Sequence, residues 1–132
     1  MEITLKNKEL AQAIAFLQSL KLKNADSRHR SKFVKLLVKA YEELAEEEAN
    51  LLKKYDLLDE NGTIKQDSEH AHEFKYEQAV LYEEEVMISG GMYTKNIDEL
   101  PRILNEIDVE LDGQQAEIYD RLLDEMEKED AE

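Results

Sequence analysis

The sequence predicts a mostly α-helical α+β domain, with about five helices around one long central helix and a small two- or three-stranded sheet. Two observations carry this. From Ser27 to Tyr55, apolar residues recur at helical spacing for about eight turns at 3.6 residues per turn. Two short runs, Met1–Leu5 and Val86–Ile88, instead have the alternation or the β-rich composition of strands.

In chain order, Met1, Ile3 and Leu5 alternate with Glu2 and Thr4, as in a half-buried strand. Asn7 reads as the cap of a first helix. Its core face is Leu10, Ala13, Ile14, Leu17 and Leu20, with Phe16 at the flank, and it ends near Lys23. Asn24, Ala25 and Asp26 form a turn, and Asp26 or Ser27 caps the central helix by offering a side-chain oxygen to its unpaired N–H groups. That helix carries two apolar seams: Phe33, Leu37, Ala40 and Leu44, and beside it Val34, Val38, Tyr41, Ala45, Ala49 and Leu52. The small Ala45 and Ala49, one turn apart, suit close approach of another helix. At about 43 Å by 1.5 Å per residue, the helix is long for a domain of this size. It must bend, elongate the domain, or have its far end covered by another molecule.

Asn61-Gly62 marks a turn, and Ser68 caps a third helix that runs to about Glu83 through Phe74, Val80, Leu81 and Tyr82. Phe74, Tyr76, Val80 and Tyr82 fit period two as well, but Glu, Gln and Ala favour the helix. The paired Gly90-Gly91 makes a tight turn beside the sheet, after which Met92-Tyr93-Thr94 either pairs back or runs on as loop. Asp98 caps the next helix, with Pro101 in its first turn and Leu100, Ile103, Leu104, Ile107 and Leu111 on one face. Asp112-Gly113 ends it, Gly113 taking the left-handed position. The last helix spans about Gln114 to Lys128 with Ile118, Tyr119, Leu122, Leu123 and Met126 inward, and the acidic tail from about 128 to 132 frays.

The 132 residues contain no linker-like run, so one domain, 1–132, is expected. Without cysteine there is neither disulfide nor thiolate chemistry. No apolar stretch approaches the ~20 residues of a membrane span, and Met1–Lys8 lacks the pattern of a signal peptide, which points to the cytoplasm. The formal net charge of −15 is unevenly spread: residues 1–40 hold nine Lys or Arg against three Asp or Glu, and residues 41–132 eight against twenty-nine. The two parts therefore carry +6 and −21. A surface of this kind repels nucleic acid and anionic membranes and attracts cationic protein surfaces.

Several chemical motifs are approached and fail. Asp59, Asn61, Gly62 and Ile64 match inner positions of a calcium-binding loop, but Leu57 and Ser68 stand where its strongest carboxylates belong. Glu69, His72 and Glu73 resemble half of a carboxylate-bridged di-metal site, for which the second Glu-x-x-His is missing. Gly90-Gly91 is followed by no Gly-Lys-Ser/Thr, so it is no phosphate loop. With no nucleophile–base pair in view either, no enzyme, metal or cofactor is expected.

The strings Ile3-Thr4-Leu5-Lys6-Asn7, Leu20-Lys21-Leu22-Lys23 with Ser27-Arg28 and Ser31-Lys32-Phe33, Asp59-Glu60-Asn61-Gly62, Gly90-Gly91-Met92-Tyr93 and Ala116-Glu117-Ile118-Tyr119 cover most of the chain. Together they resemble a family of small uncharacterised acidic proteins encoded by temperate phages of Gram-positive bacteria. The resemblance implies phage origin and the host cytoplasm, brings no catalytic residues, and favours a role by binding. The expected function is a non-enzymatic inhibitor or modulator of a host or defence protein, presenting carboxylates where that protein expects nucleic-acid phosphates. A virion-assembly or tail-associated adaptor is the alternative. The candidate partner-binding acids are Glu42, Glu43, Glu46 and Glu47, then Glu83, Glu84 and Glu85, then Asp120, Asp124 and Glu125. A basic row, Arg28, Lys32, Lys35 and Lys39, joined by Arg30, is the place for an anion or a second partner contact, although the net charge argues against direct nucleic-acid binding. The broad, long central helix also allows a homodimer.

Overall fold

Ile3 and Leu5 are wholly buried while their neighbours face outward, and this alternation makes Glu2–Lys6 the first strand, β1. The computed structural model describes residues 1–57, 61 and 70–128. After β1 and a short 3₁₀ turn come helices α1 (Leu10–Ser19), α2 (Asn24–Lys54) and α3 (Ala71–Glu83), then strand β2 (Glu85–Ser89). A second 3₁₀ turn leads to the single-turn helix α4 (Thr94–Ile97), followed by α5 (Leu100–Glu106) and α6 (Gly113–Glu127). The fold is thus helical around a long α2, with five helices longer than one turn among the described residues. No described helix is long and apolar enough to cross a membrane.

The sheet has two antiparallel strands, with Ile3 opposite Ile88 and Leu5 opposite Val86. A third strand on the outer edge of β1 is replaced by side chains. The Thr4 N–H donates to Glu125 Oε1 (3.0 Å), the Thr4 carbonyl accepts from Arg121 Nη2 (3.0 Å), and the Lys6 N–H donates to Glu9 Oε1 (2.7 Å). An exposed strand edge is thereby closed by charged groups from α6 and the first turn.

One core joins Ile3, Leu5 and Ile88 of the sheet to Leu10, Ala13 and Leu17 of α1, Phe33, Leu37 and Leu44 of α2, and the inward faces of α5 and α6. Phe16, expected at a flank, is buried and meets Tyr119 edge-on at 6.1 Å between ring centres. The Tyr119 hydroxyl donates to the Leu104 carbonyl, tying α6 to α5.

Element boundaries depart from expectation for identifiable reasons. α1 ends at Ser19, where the Leu17 and Leu20 carbonyls accept from Arg30 Nη1 at 2.8 Å each. α2 starts at Asn24, a left-handed residue (φ +49°) that Asn tolerates, so neither Asp26 nor Ser27 is the cap. The Asn7 side chain donates to the Leu81 carbonyl instead of capping α1. The expected cap Ser68 lies outside the described residues, and so do Asp59, Gly62, Ile64 and Glu69. α5 starts after Glu99 rather than Asp98 and stops at Glu106, so Ile107 and Leu111 pack from the connection that follows. Gly113 is the first residue of α6 and not a left-handed end. Asp112 is its cap, accepting from the Gln115 N–H at 2.7 Å while the Gln115 side chain returns a bond to the Asp112 N–H.

The second seam of α2 is unevenly covered, with Val38, Ala49 and Leu52 half-buried. Val34 is buried, but Tyr41 and Ala45 are exposed, so among the described residues no helix packs closely on Ala45. Beyond Leu44 no residue of α2 is buried, and α3 runs antiparallel beside this outer part, as the Lys54–Glu77 and Glu48–Tyr82 contacts show. The outer part of the long helix is thus partly covered by α3 of the same chain, with Tyr41 and Ala45 left exposed.

Candidate functional site

The outer half of α2 places Glu42, Glu43, Glu46 and Glu47 on its exposed side, one turn apart in pairs. None of the four carboxylates has an ion-pair partner among the described residues. Like charges at this spacing repel, so the row opposes helix stability and is not explained by it. Glu48, one residue on, is different. It is half-buried and accepts from Gln78 Nε2 (3.0 Å) and the Tyr82 hydroxyl (2.5 Å), which fixes α3 against α2. The hydrogen bond to Glu48, with burial and the carboxylate charge, pushes the Tyr82 phenol up to about 12.

On the other side of this seam α2 and α3 leave an open groove of about 480 Å³. Leu51, Tyr76, Val80 and Leu81 line it with apolar surface, and Glu47 and Glu84 stand at its rim. Tyr76 is 72% and Val80 47% exposed, a large apolar exposure for two residues of one helix. Glu77 also lines the groove, but Lys54 Nζ lies 3.0 Å from its Oε1 and holds its carboxyl below the usual range. The rim carboxylates without an ion-pair partner among the described residues are therefore at the Glu47 and Glu84 end. No group of three or more His, Asp or Glu that could hold a metal occurs among the described residues. His70 Nδ1 contacts Glu73 at 2.8 Å, and Leu57, the first position of the failed calcium loop, is buried.

A family model describing proteins of unknown function, DUF1617, matches residues 1–132. The chain belongs to the DUF1617 family. No curated protein and no solved structure matches it. The resemblance to a family without assigned function therefore extends over the whole chain, and DUF1617 membership carries no reaction or ligand to this groove.

The structure sorts the sequence-predicted residues. It brings Glu47 of the first acidic group and Glu84 of the second to one groove. Glu83 points elsewhere: Lys8 Nζ (2.5 Å) and Lys6 Nζ (2.9 Å) both reach its carboxylate and hold it down at about 2. Glu85 lies across the ladder from Lys6. Asp120 and Asp124 are exposed on α6, which packs on α1, β1 and α5, and they do not line the groove. Glu125 is a correction. It is only 4% exposed and is held by Arg121, Lys128 and the Thr4 N–H, so it closes the sheet edge and is no partner-binding surface.

Of the basic residues, Arg28, Lys35 and Lys39 are exposed as expected, and Lys32 Nζ lies 5.0 Å from the Tyr93 ring centre. Arg30 is the second correction. Its guanidinium caps the carbonyl end of α1, where it interacts with the helix terminus and not with an outside anion. Tyr76 and Val80 went unrecognised as site residues. They sit one turn apart, off the core stripe of Phe74 and Leu81, and that offset is the signal that marks a second apolar face on α3.

Proposed function

We propose that the protein is a non-enzymatic, phage-encoded binding protein that docks on a basic surface of a host or defence protein and inhibits or modulates it. One observation carries the reading: exposed apolar side chains on α3 lie beside carboxylates of α2 that are neutralised by nothing in the described residues. Exposed apolar surface rimmed by one sign of charge is the composition of an interaction site, and the negative field steers a cationic partner toward it. The phage origin and the host cytoplasm in this reading are what the sequence resemblance given above implies. Acids at helical spacing can also occupy positions that a basic protein reserves for phosphates, which is the sense in which the surface mimics nucleic acid.

The test is a pull-down from host lysate with the wild-type chain and with a Glu43→Lys, Glu47→Lys, Glu84→Lys variant, at low and high salt. The expected result is one enriched host protein, lost in the variant and lost as salt screens charges beyond about 8 Å. Recovery of virion structural proteins alone would transfer the assignment to the assembly role. A gel shift of DNA or RNA by the protein alone, abolished when Arg28, Lys32, Lys35 and Lys39 are neutralised, would overturn the acidic reading.

A further inference from the structure

Both walls of the groove between α2 and α3 are helices, whose backbone N–H and C=O groups are already paired along their length. An extended peptide gains affinity mainly from main-chain hydrogen bonds to an open strand edge, and this groove offers none. What it offers is side-chain surface: Leu51 on one wall, Tyr76, Val80 and Leu81 on the other. From Tyr76 to the Glu84 cap of α3 the longer wall extends about 12 Å at 1.5 Å per residue, some two helical turns, while α2 contributes one turn from Glu47 to Leu51. Such a surface is matched by the apolar stripe of an amphipathic helix, with anchors at i, i+3, i+4 and i+7.

Charge selects which helix. The carboxylates of Glu47 and Glu84 are exposed and unpaired among the described residues at one end of the groove, whereas Lys54 neutralises Glu77. A second copy of this chain is disfavoured, because a two-fold interface buries the same patch of both copies against itself, and this patch is net anionic, with Glu47 and Glu84 unneutralised among the described residues. We propose that the α2–α3 groove is the docking site for an amphipathic helix of the partner protein whose polar flank carries Lys or Arg, those cations meeting Glu47 and Glu84. This rests on the binding function proposed above and adds the site and the form of the ligand.

The experiment uses the full chain and fluorescence anisotropy with three labelled peptides. One is a Leu/Lys helix with leucines at i, i+3, i+4 and i+7, the second a scrambled Leu/Lys peptide of equal charge, and the third the Leu/Glu counterpart. Wild type should bind the amphipathic Leu/Lys peptide about tenfold more tightly than the scramble and should not bind the Leu/Glu peptide. Tyr76→Ala with Val80→Asn should weaken it by about tenfold or more. Both residues are exposed, so the variant keeps its fold, and its melting curve checks this. Glu47→Gln with Glu84→Gln should weaken binding and flatten its salt dependence, while Asp120→Asn with Asp124→Asn, away on α6, should leave affinity unchanged. If the scramble binds as well, or the Tyr76/Val80 variant binds like wild type while salt still weakens the complex, the groove is refuted and the acidic surface stands. If no cationic peptide binds, both readings fail. Equal binding of the Leu/Glu peptide refutes the role of the rim. A dimer in light scattering that Tyr76→Ala with Val80→Asn dissociates would give the groove to a second copy and overturn the proposal.

Discussion

Replacing Glu125 by Ala should destabilise the fold far more than any other acidic substitution on α6. The carboxylate is 4% exposed and receives the Thr4 N–H at 3.0 Å, Arg121 Nη1 at 2.8 Å and the Lys128 ammonium. Truncation leaves the Thr4 N–H without its acceptor on the outer edge of β1, at about 1–3 kcal/mol for a buried unsatisfied donor. Arg121 keeps Glu9 at 3.2 Å and the Thr4 carbonyl and is partly solvated, so its loss adds only about 0.5–1 kcal/mol. The expected total is about 1.5–4 kcal/mol, and at ~2.1 cal/mol/K per residue over 132 residues this lowers Tm by about 5–14 °C. Glu125→Gln, which retains an oxygen for Thr4, should lose about half as much. Urea unfolding followed by circular dichroism measures both. The difference also has a pH signature. Burial by itself raises the Glu125 pKa, but Lys128, Arg121 and the Thr4 N–H outweigh it and the net shift is downward from 4.5. A folded-state carboxyl below its unfolded value stabilises above about pH 4.5 and loses that contribution as pH falls through the folded pKa. The gap between wild type and Glu125→Ala should therefore be full at neutral pH and shrink in acid. A variant within about 0.5 kcal/mol of wild type at pH 7 would refute the claim that this carboxylate closes the sheet edge.

Two further outcomes are expected. A Cβ added at Gly90 would lie 2.7 Å from Thr94 Oγ1 and 2.8 Å from Thr94 Cα. Gly90→Ala should therefore cost about 1–3 kcal/mol by displacing the start of α4. Gly91→Ala, in open space but at φ +54°, should cost only the left-handed backbone term of about 1 kcal/mol, and thermal melts of the two variants separate the causes. In an ultraviolet titration one tyrosinate should appear near pH 12, vanish in Tyr82→Phe and move back toward 10 in Glu48→Gln. Because the folded phenol pKa is raised, its contribution to stability is complete below pH 10 and is lost as pH rises through about 12. A Tyr82 that titrates with the exposed tyrosines would show that α3 is not fixed to α2 through Glu48.

Residues that act through local periodicity were legible from the amino-acid order. Phe33, Leu37, Ala40 and Leu44 face the core because spacings of three and four return to one side of a helix, and Ile3 and Leu5 because a strand alternates. Signals in which two local rules compete were not. Gly113 suits a helix end as well as a helix start, and the reciprocal bonds of Asp112 with Gln115 decided for the start. Ile107 and Leu111 continue the α5 stripe in sequence, yet α5 stops at Glu106 and both pack from the segment beyond it. The charge of each carboxylate and the helical face it shares with its neighbours belong to the sequence alone, as does the excess of acid after residue 40. Which of those carboxylates are spent inside the molecule was decided only in three dimensions. Glu125 meets Thr4, 121 residues away, Glu83 meets Lys6 and Lys8, and Glu47 and Glu84 have no ion-pair partner among the described residues beside Tyr76 and Val80. Electrostatic pairing depends on distance in space, and the path of the chain between the partners leaves no periodic trace of it.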